Sequence, residues 1–133
     1  MILRNKRIFT FEDDAFNLAI ISVPLRREGA IVMYSRWGKE AKTHLLNSLP
    51  LDIILLDLMY PDDITGYDIY EQIKEIPELQ SVTVIVVTAA DPDIEMIRAR
   101  DKGLSGFISK PIDKHFVDYI AQAIDGKPVW EAD

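Results

Sequence analysis

Five side chains in this sequence could act together if folding brought them to one edge: Glu12, Asp13, Asp57, Thr88 and Lys110. Glu12 and Asp13 lie in "FEDD", at the end of the apolar "RIFTF"; Asp57 closes "DIILLD", Thr88 closes "VTVIVVT", and Lys110 follows "GFIS". A carboxylate at the rim of an apolar run is costly unless something there needs it. Three carboxylates at one edge repel one another and are stable together when a hard cation or a positive side chain neutralises them. Mg2+ suits such a set, because it takes oxygen ligands in octahedral geometry, keeps several waters, and combines one or two carboxylates with phosphate oxygens. An Asp carboxylate can also be the nucleophile that forms an acyl phosphate. Lys110 would then offer a point charge, and Thr88 a hydroxyl donor, to the phosphoryl oxygens.

The elements that must position these groups are legible in the apolar pattern. "DIILLD" and "VTVIVVT" lack helical periodicity and read as parallel strands covered on both faces. Shorter strand candidates are "RIFTF", "AIVMYS" around Val32 and "GFIS" around Phe107, with segments of helical length between all five. Asp14 is the expected N-cap of a first helix over "AFNLAIISVPLRREG", stopped by Gly29, and Pro24 inside it predicts a bend. "KEAKTHLLNSL", "GYDIYEQIKEI", "PDIEMIRARDKG" and "DKHFVDYIAQAIDG" supply four more helices. Strict alternation with right-handed crossovers predicts an α/β fold: a doubly wound five-stranded parallel sheet with helices on both faces. Ligands of such sheets bind at the carboxyl ends of the strands, where the strand order reverses. The five reactive side chains all fall there.

Length and composition bound the rest. At 133 residues the expectation is a single domain over 1–133, its core spanning about 6–125, with 126–133 as a short C-terminal tail. No apolar run reaches the ~18 residues that cross a bilayer, so no membrane insertion is expected. The N-terminus lacks the core of a signal peptide, and a cytoplasmic protein is inferred. There is no cysteine, which removes thiolate nucleophiles and zinc-thiolate centres. A net charge of −7 argues against direct nucleic-acid binding and favours a protein partner or a bound cation.

With "FEDD", "LLDLMYP", "VVTA" and "GFISKP" in this order, the chain from roughly Lys6 to Ile124 resembles the receiver domains of two-component response regulators, the CheY-like, flavodoxin-like fold. The resemblance implies phosphotransfer to Asp57 from a histidine kinase or a histidine phosphotransfer protein. It implies Mg2+ bound by Asp13 and Asp57, aided by Glu12 and the Met59 carbonyl, with Asp57, Thr88 and Lys110 as the catalytic set. Thr88 and Phe107 would form a switch acting on the fourth helix, "GFIS" and the fifth helix, toward an output partner. Met59 and Ala90 would flank the path of the hydrolytic water and make the acyl phosphate long-lived. Such a domain is no enzyme toward other substrates, since it catalyses only its own phosphotransfer and dephosphorylation.

Two departures mark this chain. One residue more than the family's usual spacing separates Asp57 from Gly66, so "PDDIT" is expected to bulge, with Asp62 and Asp63 as solvated charges. Pro24 lies in the helix that commonly docks the phosphotransfer partner. The alternative reading is a receiver-like interaction domain that never takes phosphate. A flavodoxin-like nucleotide binder would need a phosphate loop where "EDDAFN" stands, and a haloacid-dehalogenase-type phosphatase would need a second Asp where Met59 stands. Trp37, Trp130, His44 and His115 are read as structural.

Overall fold

The computed structural model describes residues 1–60 and 64–132. Its centre is the pair of apolar runs: β3 (Ile53–Leu56) is buried throughout, and beside it β4 (Thr83–Thr88) is buried beyond its first residue. With β1 (Arg7–Phe11), β2 (Ile31–Ser35), β5 (Gly106–Ser109) and β6 (Val129–Glu131) they form one all-parallel sheet, in the order β2-β1-β3-β4-β5-β6. The order reverses between β1 and β3.

Alternation along the strands splits the core in two. Phe9, Phe11, Ile54, Leu56, Val84, Val86 and Phe107 form one buried layer with residues of α2 (Ala41–Leu46), α3 (Gly66–Lys74) and α4 (Pro92–Asp101). Ile8, Ile53, Leu55, Ile85, Val87 and Ile108 form the other with α1 (Ala15–Arg27) and α5 (Phe116–Ile124). The first helix begins as expected, the Asp14 carboxylate accepting from the amides of Phe16 and Asn17 at 2.8 and 3.0 Å. It runs unbroken through Pro24 and ends before Gly29, whose φ of 92° suits glycine.

Two elements differ from the sequence reading. The sheet has six strands, not five: the tail contributes β6, which pairs in parallel with β5 through Gly106↔Val129, Phe107↔Trp130 and Ile108↔Glu131. The approach depends on Gly106, where a Cβ would lie 2.6 Å from the Val129 carbonyl oxygen. The second helix covers only six of the residues assigned to it, because Glu40 at its start sits at φ 58° and no side chain caps the first turn. Among the described residues no helix is long and apolar enough to cross a membrane.

Candidate functional site

Parallel register carries the reactive groups to one edge. Phe11 pairs with Leu56, so Glu12 and Asp57 leave the sheet side by side; Thr88 pairs with Ser109, so Lys110 emerges next to it. The Lys110 amide also donates to the Thr88 carbonyl at 2.8 Å, which fixes the lysine's root. This edge is the crevice at the β1/β3 reversal, where doubly wound sheets bind ligands.

The side chains converge. Lys110 Nζ lies 2.7 Å from Glu12 Oε2 and 3.0 Å from Asp57 Oδ2. The Thr88 hydroxyl donates to Asp57 Oδ1 at 2.8 Å, and the Met59 amide donates to the same oxygen at 3.2 Å. Asp13 completes the group: one carboxylate oxygen from each of Glu12, Asp13 and Asp57 can be chosen so that all lie within 4.8 Å of one another. Glu12, Asp57 and Thr88 are buried, with exposures of 1%, 6% and 0%. Hard oxygen donors at this density can hold a divalent cation, with Lys110 supplying part of the counter-charge.

Electrostatics follow from burial. The Glu12 carboxyl is raised to about 7, chiefly because it is withdrawn from water and further by the Asp57 charge, while its bond to Lys110 pulls the other way. Burial acts against the Lys110 ammonium, yet its hydrogen bond to Glu12 and the charge of Asp57 prevail, leaving its pKa above the ordinary lysine value. The ammonium is therefore a fixed positive charge at neutral pH.

All the predicted site residues except Phe107 gather at this edge. Met59 is exposed at the loop mouth, where it bridges to Thr65, and the Ala90 amide donates to the Thr88 hydroxyl oxygen at 3.3 Å. Phe107 lies deeper, fully buried on β5 opposite Val86. Gly66 is confined from below, since a Cβ there would run into the Asp57 carbonyl. The expected bulge and the solvated Asp62 and Asp63 fall outside the described residues.

Sequence reasoning missed two participants. Arg36 Nε donates to the Asp13 carbonyl at 3.1 Å, a link between β2 and the acidic loop that only the β1–β2 register reveals. Tyr60 packs against the core, and its buried hydroxyl lies beside the Asp57 backbone. Its place directly after Met59 was the available signal. His44 meets the Ser35 hydroxyl at 3.1 Å, and Trp130 packs under the Arg100 guanidinium at 4.4 Å.

The chain is similar to known proteins in sequence and in fold. The response regulator PleD of Caulobacter vibrioides is 32% identical over 107 residues, 80% of this chain but 23% of PleD. The polar-differentiation response regulator DivK of Brucella ovis is 30% identical over 107 residues, 80% of this chain and 85% of DivK. In fold, the chain superposes with a TM-score of 0.78 at 24% identity on the receiver domain of the sensor histidine kinase PA1611 from Pseudomonas aeruginosa, solved with magnesium in its active-site cleft; the match covers 91% of this chain and 98% of that one. The family described as "Response regulator receiver domain" matches residues 8–121, from within β1 into α5. With that span, this sheet order and this site, the chain belongs to the response regulator receiver domain family.

Proposed function

We propose that the chain is a phosphoacceptor domain of a two-component relay, with Asp57 as the acceptor. One observation supports this above the rest: a buried carboxylate is held between the Lys110 ammonium at 3.0 Å and the Thr88 hydroxyl at 2.8 Å, beside two further carboxylates. An Asp57 oxygen attacks the phosphorus of a phosphohistidine. The new P–O bond forms as the P–N bond breaks, and a ring protonated at its other nitrogen leaves as neutral imidazole. Lys110 and Thr88 stabilise the charge on the transferring oxygens.

The oxygen donors fit Mg2+, for which Asp13, Asp57, the Met59 carbonyl and Glu12 would be the holders; when bound, the ion supplies charge neutralisation to the phosphoryl group. The donor protein is a histidine kinase or a histidine phosphotransfer protein in the cytoplasm. A docking place for it lies beside the site. Phe16, Ile20 and Val23 are exposed on α1, and a groove of about 140 Å³ is lined by Asn17, Ile20, Ile21, Lys110, Pro111 and Ile112. Residues 1–133 act in this reading as one receiver domain, with Thr88 and Phe107 as its switch and no substrate other than its own aspartate.

Incubation with acetyl phosphate and Mg2+, followed by intact-mass measurement, tests the proposal. The parent should gain one phosphoryl group only when Mg2+ is present, and Asp57→Asn should gain none. No gain in the parent would instead favour an interaction domain that works without phosphate.

A further inference from the structure

A carboxylate serves as a cation ligand only if something fixes its place, and two of the three at this edge are fixed by their side chains. Asp57 is held by Lys110, the Thr88 hydroxyl and the Met59 amide, and Glu12 by Lys110. Asp13 differs. Among the described residues its carboxylate accepts no hydrogen bond and joins no ion pair. Where that carboxylate stands therefore depends on the Asp13 backbone.

The backbone is gripped from the end of β2. The Glu12 amide donates to the Ser35 carbonyl at 3.1 Å, and one residue further along both chains Arg36 Nε donates to the Asp13 carbonyl at 3.1 Å. Arg36 is itself set in a closed turn. The Ser35 hydroxyl donates to the Trp37 carbonyl at 2.9 Å and accepts from the Trp37 amide at 3.3 Å, while the His44 ring of α2 meets the same hydroxyl at 3.1 Å. The guanidinium also stands 5.7 Å from the centroid of the Trp37 ring, within cation–π range. Arginine beside an aspartate favours the carboxylate, where it can bond through two N–H groups at once. Here it takes the main-chain oxygen and forms no ion pair with Asp13, which leaves the carboxylate to a cation.

We infer that Arg36 is a positioning residue for the cation site, its grip on the Asp13 carbonyl fixing where the Asp13 carboxylate stands beside Asp57. This rests on the reading of the site as an Mg2+ centre. Two effects of the side chain oppose each other. As a positive charge near the site, Arg36 weakens cation binding. As a holder of a ligand's backbone it strengthens binding, and groups that orient a metal's ligands typically cost ~10–100-fold in affinity when removed. The two effects also differ in the ions they touch. Mg2+ demands near-ideal octahedral geometry, whereas Ca2+ accepts flexible coordination, so lost positioning harms Mg2+ more and a lost charge changes both alike.

Arg36→Met keeps the stem of the side chain but removes its N–H groups and its charge. Calorimetric titration of the unphosphorylated parent and variant with Mg2+ alone, and separately with Ca2+ alone, tests the role. Mg2+ binding should be about tenfold weaker in the variant, and Ca2+ binding should change by less than about threefold. A partly unfolded variant would weaken both ions by one factor, so the ratio of the two Kd values separates lost positioning from lost folding. Unchanged or tighter Mg2+ binding overturns the role, as does a weakening shared equally by both ions. If the parent holds Mg2+ but no Ca2+, the melting temperature in chelator replaces the ratio: weaker Mg2+ binding at the parent's melting temperature sustains the role, and weaker binding with a lowered one overturns it. A parent that binds no Mg2+ overturns both this inference and the reading beneath it.

Discussion

Lys110 holds two carboxylates at once, and burial treats the more enclosed of them harshly. Glu12 is the case with a measurable consequence. A folded-state pKa raised to about 7 means that the native chain keeps a proton which the unfolded chain releases in the ordinary carboxylate range. Between those two values the native state binds more protons, so this group makes stability fall as pH rises through the window and adds no further slope above it. In chelator, the melting temperature of the parent should drop relative to that of Glu12→Gln between pH 5 and pH 8. A parent-minus-variant difference that is flat across this range contradicts the burial argument. At this scale the acidic pair, Asp57, Thr88 and Lys110 were legible because each closes or follows an apolar run. Tyr60 and Arg36 were not, because nothing in a linear pattern says where a phenol points or which loop a guanidinium crosses.

The elements show where local signals suffice. β3 and β4 announced themselves as continuous apolar runs, and α1 by Asp14 and Gly29. α2 was read too long, since its apolar spacing continues past residues whose backbone does not support a helix, and Glu40 enters it at positive φ without a cap. β6 went unseen because three residues carry no period; its trace lies in Gly106, which leaves room for another backbone. At α3 a capping box escaped notice as well. The Thr65 hydroxyl accepts from the Asp68 amide at 3.3 Å, and the Asp68 carboxylate accepts from the Thr65 amide at 2.8 Å. Since α3 starts directly after the loop that carries Asp57, this box also anchors the loop's far end. Thr65→Ala should cost about 1 kcal/mol in urea unfolding, with the slope unchanged. A loss within a few tenths of zero would show that the cap is redundant.

Over the whole molecule, the fold was legible in outline, because β-α alternation admits few topologies and the strand-order reversal marks the site. The face opposite that reversal was not. β6 covers the edge of β5, so the expected output surface is bounded by α4, β6 and α5, and Trp130 stands in register with Phe107 while lying under Arg100 of α4. A change at Phe107 thus has a route to that face through backbone pairing. On the proposed reading, Thr88 already touches Asp57 and Phe107 is already fully buried, so a phosphoryl group on Asp57 would bring a limited rearrangement. One hydrogen bond to a charged group is worth ~1.5–3 kcal/mol. Full inversion of a two-state balance needs about 5.5 kcal/mol. A partial shift follows. The amide NMR spectrum of the phosphorylated chain tests the account most directly, because it reports the acceptor and the switch together. In the parent, acetyl phosphate with Mg2+ should move the signals of Asp57, Thr88 and Lys110, together with those of α4, β5, β6 and α5. Thr88→Ala should keep the shifts around Asp57 and lose most of those on the far face; shifts there as large as the parent's, or no shift at Asp57 in the parent, would contradict the account.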